Sequence, residues 1–213
     1  MKYETREEAI GDHRTNYRVQ GGLKGKYNFN GPDRHRIGML QSNIPNGSVV
    51  LDIGCNDGSL GMLLQNKECV VYGVDVVPQL INVAMNKGVL ARVAPAEELP
   101  YRKHLFEAVV MAEVLEHLFE PRDGLREVVR VLKPDGVFVG SVPHADGNLG
   151  RTHPGGDYHQ SMFEYDELEN LLKEFFEEVK ITPVPVLLEW AEDHEVNGEK
   201  SQWNTWTCRK PKG

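Results

Sequence analysis

Two carboxylates and an imidazole crowd into five positions of the run AEVLEHL: Glu113, Glu116 and His117, spaced i, i+3 and i+4. On a helical turn that spacing puts all three on one face. Histidine is the natural general base near neutrality, and an acceptor hydroxyl of high pKa needs one. A second histidine, His144, follows the apolar run VFVGSVP and faces the same mouth if that run is a parallel strand. His117 is the first candidate for base and His144 the second, as base or orienter, with Glu116 beside them. A helix cap with a surface ion network is the plain alternative for E-x-x-E-H.

A second constellation lies upstream, in SVVLDIGCNDGSLG at residues 48–61. Val49, Val50, Leu51 and Ile53 read as a buried central strand. Gly54 and Gly58 then let the backbone turn sharply and lie against a ligand. The stretch differs from the dinucleotide fingerprint G-x-G-x-x-G, because Asn56 and Ser59 stand at its second and third glycine positions. In place of a phosphate cradle there is an acid, Asp52, which repels phosphate and attracts an ammonium. At the end of the next apolar run, CVVYGVD, Asp75 stands about twenty residues on, where a carboxylate accepts from ribose hydroxyls in doubly wound folds. The ligand these residues describe is a nucleoside carrying a cationic amino acid. A strand, turn and helix with no ligand would explain both glycines but not the two acids.

LDIGCNDG and YGVD, followed by AEELP and LKPDG, resemble the class I S-adenosylmethionine-dependent methyltransferases, over about residues 45–142. The resemblance implies a Rossmann-like α/β fold, a doubly wound, seven-stranded, mostly parallel sheet with an antiparallel C-terminal strand in three α/β/α layers. It also implies S-adenosylmethionine as cofactor, with S-adenosylhomocysteine as product. The expected cofactor residues are Asp52, Gly54, Cys55, Asn56, Gly58, Asp75, Val76, Ala96, Glu97 and Glu113, the last against the amino acid part. Ala96 and Glu97 match the family's adenine loop, where Pro95 departs from the acid that often precedes the alanine and brings neither an amide proton nor a carboxylate. His117 resembles the base position of sugar and other small-molecule O-methyltransferases, so the expected reaction is O-methylation of a small hydroxylated metabolite, a sugar or a phenol.

Two other readings share these residues. Glu113, Glu116 and His117 with His153 or His159 offer a mixed oxygen and nitrogen shell for a divalent ion. That resembles the metal-assisted RNA 3′-terminal ribose 2′-O-methyltransferases, and here His159 precedes Phe163, Glu164 and Tyr165 at a longer spacing than in that family. A metal is not expected. From another class comes a non-catalytic S-adenosylmethionine-binding or interaction domain, against which intact Asp52, Gly54, Gly58 and Asp75 speak.

The 213 residues carry a net charge of −8, which argues against a dedicated nucleic-acid binder. Residues 1–36 nevertheless hold eight Lys plus Arg against five Asp plus Glu, a local excess that suits a solvated basic arm or an anionic partner. Three cysteines at no metal spacing, no membrane-length apolar run and a polar start predict a soluble, cytoplasmic protein with no membrane partner. Its partner is a small-molecule substrate; oligomeric state is not legible.

The elements that must position these groups follow from periodicity. Residues 1–46 read as a lid or cap, irregular except for a short helix over 36–44, and residues 47–213 as the methyltransferase domain. Tyr17, Tyr27, Phe29, Arg34 and His35 are the lid's candidate substrate contacts, or simply its packing. Asp57 or Asn56 is expected to cap a helix running from about 58 to 66. Strands are expected at 69–74, 89–93, 106–111, 137–142, 179–188 and 203–208, and helices at 78–86 and 164–175. A further helix carries the stripe Leu125, Val128, Val129 and Leu132, and LKPDG turns the chain after it. Pro183 and Pro185 confine those parts of their strand to an edge or a bulge. The polar, glycine-rich residues 144–160 form a long loop of the kind that is usually functional.

Overall fold

The computed structural model describes residues 3–19, 33–143, 161, 163–185 and 201–212. The apolar runs become strands β1 (Val49–Ile53), β2 (Val70–Asp75), β3 (Leu90–Val93), β4 (Phe106–Ala112), β5 (Leu132–Pro143), β6 (Phe176–Pro185) and β7 (Ser201–Pro211). They form one seven-stranded sheet in the order β3-β2-β1-β4-β5-β7-β6. β1 to β5 pair in parallel, and β7 pairs antiparallel with β5 and β6. The chain runs outward from β1 through β2 to β3, then returns to lay β4 on the other side of β1. In such sheets a crevice opens at that reversal, outside the carboxyl ends of the strands.

Alternation along the strands divides the core into two layers. Leu51, Val109 and Phe138 face one side with Leu125 and Val128 of α5 (Pro121–Val131) and Leu168 and Leu172 of α6 (Tyr165–Phe175). Val50, Val110 and Val139 face the other with Ile37 and Leu40 of α2 (Asp33–Ser42), Leu60 and Leu64 of α3 (Ser59–Gln65), and Ile81 and Ala84 of α4 (Pro78–Asn86). The three-layer, mostly parallel arrangement expected from the sequence is the one observed.

α4 occupies the expected residues, with Pro78 at its first turn. Three expectations change. The segment before residue 36 is not all irregular: α1 spans Arg6–Val19, and of its described residues only Ala9 is buried. A helix without an apolar stripe leaves no periodic signal. α5 ends at Val131, so Gly124, Leu125, Val128 and Val131 face the sheet while Leu132 opens β5. The expected turn in LKPDG is an irregularity inside one long strand, because Leu132 pairs with Phe106 before Val137 resumes with Ala108. Pro183 and Pro185 lie on β6, the edge strand, as expected. Among the described residues no helix is long and apolar enough to cross a membrane, and Cys55, Cys69 and Cys208 are free thiols.

Candidate active site

The turn after β1 is built by backbone that only small residues tolerate. Gly54 and Gly58 have φ of 70° and 77°, in the left-handed region. A Cβ on Gly54 would overlap the Val114 side chain, and one on Gly58 would lie 2.8 Å from Ala84 Cα. The amides of Gly54 and Cys55 both donate to Val74 O, at 2.8 and 2.9 Å, tying the turn to the end of β2. Asp57 supports the start of α3 from just outside it: its carboxylate accepts from Ser59 N (3.1 Å), Ser59 Oγ (2.9 Å) and Lys87 Nζ (2.7 Å), while Gly58 holds the N-cap position. Burial pushes this carboxyl up, but the bonds from Lys87 and Ser59 outweigh it and hold its pKa below the ordinary value.

Both predicted acids stand at the carboxyl ends of neighbouring strands, and both are buried. Asp75 accepts from Asn56 N through Oδ2 (3.0 Å) and from Val77 N through Oδ1 (2.9 Å). A carboxylate has about four acceptor positions, so about two remain for hydroxyls of a ligand. Burial, with Asp52, Asp75 and Asp57 around it, pushes the Cys55 thiol far up and keeps it protonated. Two buried carboxylates at the sheet's reversal, Asp52 and Asp75, suit a cation rather than a phosphate.

Beyond Asp75, α1 reaches the residue after β2 and the loop that follows β3. Arg14 Nε donates to Val76 O at 2.6 Å, and Arg6 pairs with Glu98 at 3.6 Å. Ala96 is buried in the loop beneath, and Glu97 is pushed above its ordinary pKa by burial, opposed by backbone hydrogen bonds and Arg6. Sequence reading missed Arg6 and Arg14, because exposed arginines on a polar helix carry no pattern. Arg34 and His35 are exposed on α2, and the side chains of Tyr17, Tyr27 and Phe29 lie outside the described residues.

The E-x-x-E-H segment does not leave β4 as an α-helical turn. Glu113 adopts φ of +55°, and a single 3-10 turn follows over Leu115–His117. Glu113 therefore stands outside the turn. Its Oε1 accepts from Ser141 Oγ (2.8 Å) and lies 3.3 Å from Arg36 Nη1; its Oε2 accepts from Trp203 Nε1 (3.1 Å). Glu116 is buried and approaches His117 instead, with Oε1 3.7 Å from Nε2. The His117 side chain is 23% exposed. His144, His153 and His159 lie outside the described residues; among those described, no three His, Cys, Asp or Glu side chains are arranged to hold a metal. Arg36, Ser141 and Trp203 also went unread in the sequence, since each sits within an otherwise unremarkable element.

This sheet, with a glycine turn and two buried acids at its point of reversal, defines a doubly wound α/β fold. Residues 51–140 match the family model described as "Methyltransferase domain". The chain is 36% identical over 111 residues to a tRNA (carboxymethyluridine(34)-5-O)-methyltransferase of Arabidopsis thaliana, covering 50% of this chain and 27% of that protein. It is 30% identical over 120 residues to a ubiquinone biosynthesis O-methyltransferase of Xanthomonas oryzae, covering 53% and 50%. The chain thus spans half or less of the length of these curated relatives. Among solved structures it is similar to a 1,6-didemethyltoxoflavin-N1-methyltransferase of Burkholderia thailandensis, with TM-score 0.72, 21% identity, and coverage of 99% of this chain and 92% of that one. Residues 51–140 thus form a methyltransferase domain, and the fold is that of class I S-adenosylmethionine-dependent methyltransferases.

Proposed function

We propose that the protein methylates a hydroxyl of a small metabolite, a sugar or a phenol, using S-adenosylmethionine. The observation that carries this reading is His117, partly exposed in the turn after β4, with the buried Glu116 carboxylate 3.7 Å from its Nε2. The relatives that methylate oxygen support it, among them the ubiquinone enzyme.

The chain's residues fit the cofactor. Asp75 would take the ribose hydroxyls, Asp52 the ammonium, Ala96 and Glu97 the adenine, and the 54–58 turn with Cys55, Asn56 and Val76 the rest of the nucleoside. The left-handed glycines let that turn pack closely against Val114 and against Ala84 of α4. Bound there, the cofactor supplies an electrophilic methyl carbon. His117 takes the proton from the acceptor hydroxyl, and Glu116 stabilises the imidazolium so formed, as carboxylates do for catalytic histidines. The three free thiols are in keeping with a cytoplasmic location.

An RNA acceptor is the second reading, favoured by the Arabidopsis tRNA relative and set against the net charge of −8. Labelled S-adenosylmethionine incubated with a small-molecule extract and, separately, with an RNA fraction decides between them. Label in the small-molecule fraction alone supports the proposal, and label in RNA alone refutes it. His117→Ala should then lower turnover by about two to four orders of magnitude while S-adenosylhomocysteine still binds. Unchanged turnover would remove His117 as the base.

A further inference from the structure

The site described so far leaves four buried or nearly buried polar side chains without a task. Arg36 comes from α2, Glu113 from the end of β4, Ser141 from β5 and Trp203 from β7. Arg36 Nη1 donates to Ser141 Oγ (2.8 Å), Ser141 Oγ donates to Glu113 Oε1 (2.8 Å), and Trp203 Nε1 donates to Glu113 Oε2 (3.1 Å). The guanidinium carbon lies 5.2 Å from the centre of the Trp203 ring, in cation–π range. Arg36, Ser141 and Trp203 are buried, so the cluster is closed within the protein.

What it encloses is a strained residue. Glu113 holds φ of +55°, a conformation costly for a side chain with a Cβ and kept only where the surroundings over-determine it. Its amide is fixed as well, donating to Ser141 O at 2.8 Å. The next residue, Val114, packs where a Cβ on Gly54 would go, and its carbonyl accepts from His117 N at 2.9 Å. One rigid path therefore runs from the cluster through Glu113 and Val114 to His117, and touches the glycine turn on the way.

We propose that Arg36, Glu113, Ser141 and Trp203 are positioning residues that hold the strained Glu113 backbone and thereby aim the His117 imidazole at the acceptor. This rests on His117 being the group that meets the acceptor. Glu113 then serves by holding the turn rather than as a ligand of the cofactor's amino acid part. Both its oxygens are already committed to protein donors.

The resonance and binding readouts need no acceptor. Trp203→Phe deletes one hydrogen bond to Glu113 and keeps an aromatic ring under Arg36; Ser141→Ala deletes the bridging hydroxyl. Side-chain nitrogen and carbon resonances of His117, assigned with His117→Asn, report its surroundings, while calorimetry with S-adenosylhomocysteine reports the cofactor floor. Both variants should shift or broaden the His117 ring signals, with the remaining histidines unmoved and S-adenosylhomocysteine affinity within about threefold of wild type. His117 signals identical to wild type in two folded variants would overturn the proposal, as would a loss of cofactor affinity of tenfold or more with His117 unmoved, which would make Glu113 a cofactor ligand. Should one variant not fold, the other decides. Moved resonances together with full turnover by His117→Ala would spare the positioning path and sink only the assignment of His117 as base.

Discussion

Gly58→Ala separates backbone strain from steric conflict at the cofactor turn. At φ of 77° an alanine pays the left-handed penalty, about 1–2 kcal/mol. Its Cβ would also lie 2.8 Å from Ala84 Cα, 2.9 Å from Ala84 Cβ and 3.2 Å from Val89 Cγ2. The first of these is backbone of α4 and cannot rotate away, so a packing cost of about 1–3 kcal/mol adds. The expected loss is about 2–5 kcal/mol. Gly47 supplies the control: φ is 72° but nothing lies within 4 Å of its Cβ position, so Gly47→Ala should cost only the strain, about 1–2 kcal/mol. Gly38, in the middle of α2 and equally open, has neither problem, and Gly38→Ala should stabilise by about 0.5–1 kcal/mol. Urea unfolding of the three variants with a common slope measures all three differences. A Gly58→Ala loss no greater than that of Gly47→Ala would refute the close approach of α4 to the turn.

Three further outcomes are expected. Asp75→Ala should weaken S-adenosylhomocysteine binding by about 1–3 kcal/mol in calorimetry, the scale of leaving buried polar groups unpaired; unchanged affinity would remove Asp75 from the ribose. Because the folded pKa of Asp57 lies below its ordinary value, its contribution to stability is present above the ordinary carboxylate range and is lost as pH falls through the folded pKa. Asp57→Asn should flatten the acid limb of a stability-versus-pH curve, and an unaltered limb would contradict the Lys87 and Ser59 bonds. Asn204 is fully buried on β7, and among the described residues neither of its side-chain polar atoms is hydrogen-bonded, so Asn204→Leu should raise stability by about 1–2 kcal/mol, read as a higher melting temperature; a fall would mean the amide is satisfied in solution.

The fold was legible because its strands are apolar, alternate between two buried faces and are separated by glycine and proline. α4 was placed to the residue by Pro78 and its apolar positions. α1 left no trace, since propensity without an apolar stripe looks like loop. The bulge in β5 was hidden because LKPDG has turn residues and only tertiary pairing of Leu132 with Phe106 makes it strand. At the site, Asp52 and Asp75 were readable from their places at strand ends. Glu113, Glu116 and His117 stand together in the sequence, but the turn that sets Glu113 apart from the other two was not legible, because it depends on one left-handed φ angle. The cluster around Glu113 unites residues 36, 113, 141 and 203, and no local pattern links positions so far apart.

The sheet order carries a consequence for how this chain is made. β7 lies between β5 and β6, yet it leaves the ribosome after both. Until it arrives, β5 presents an open row of amides and carbonyls, the kind of edge that recruits foreign strands. Trp203 arrives with β7, so a nascent chain lacks both its sheet closure and the indole beside Glu113 until the same moment.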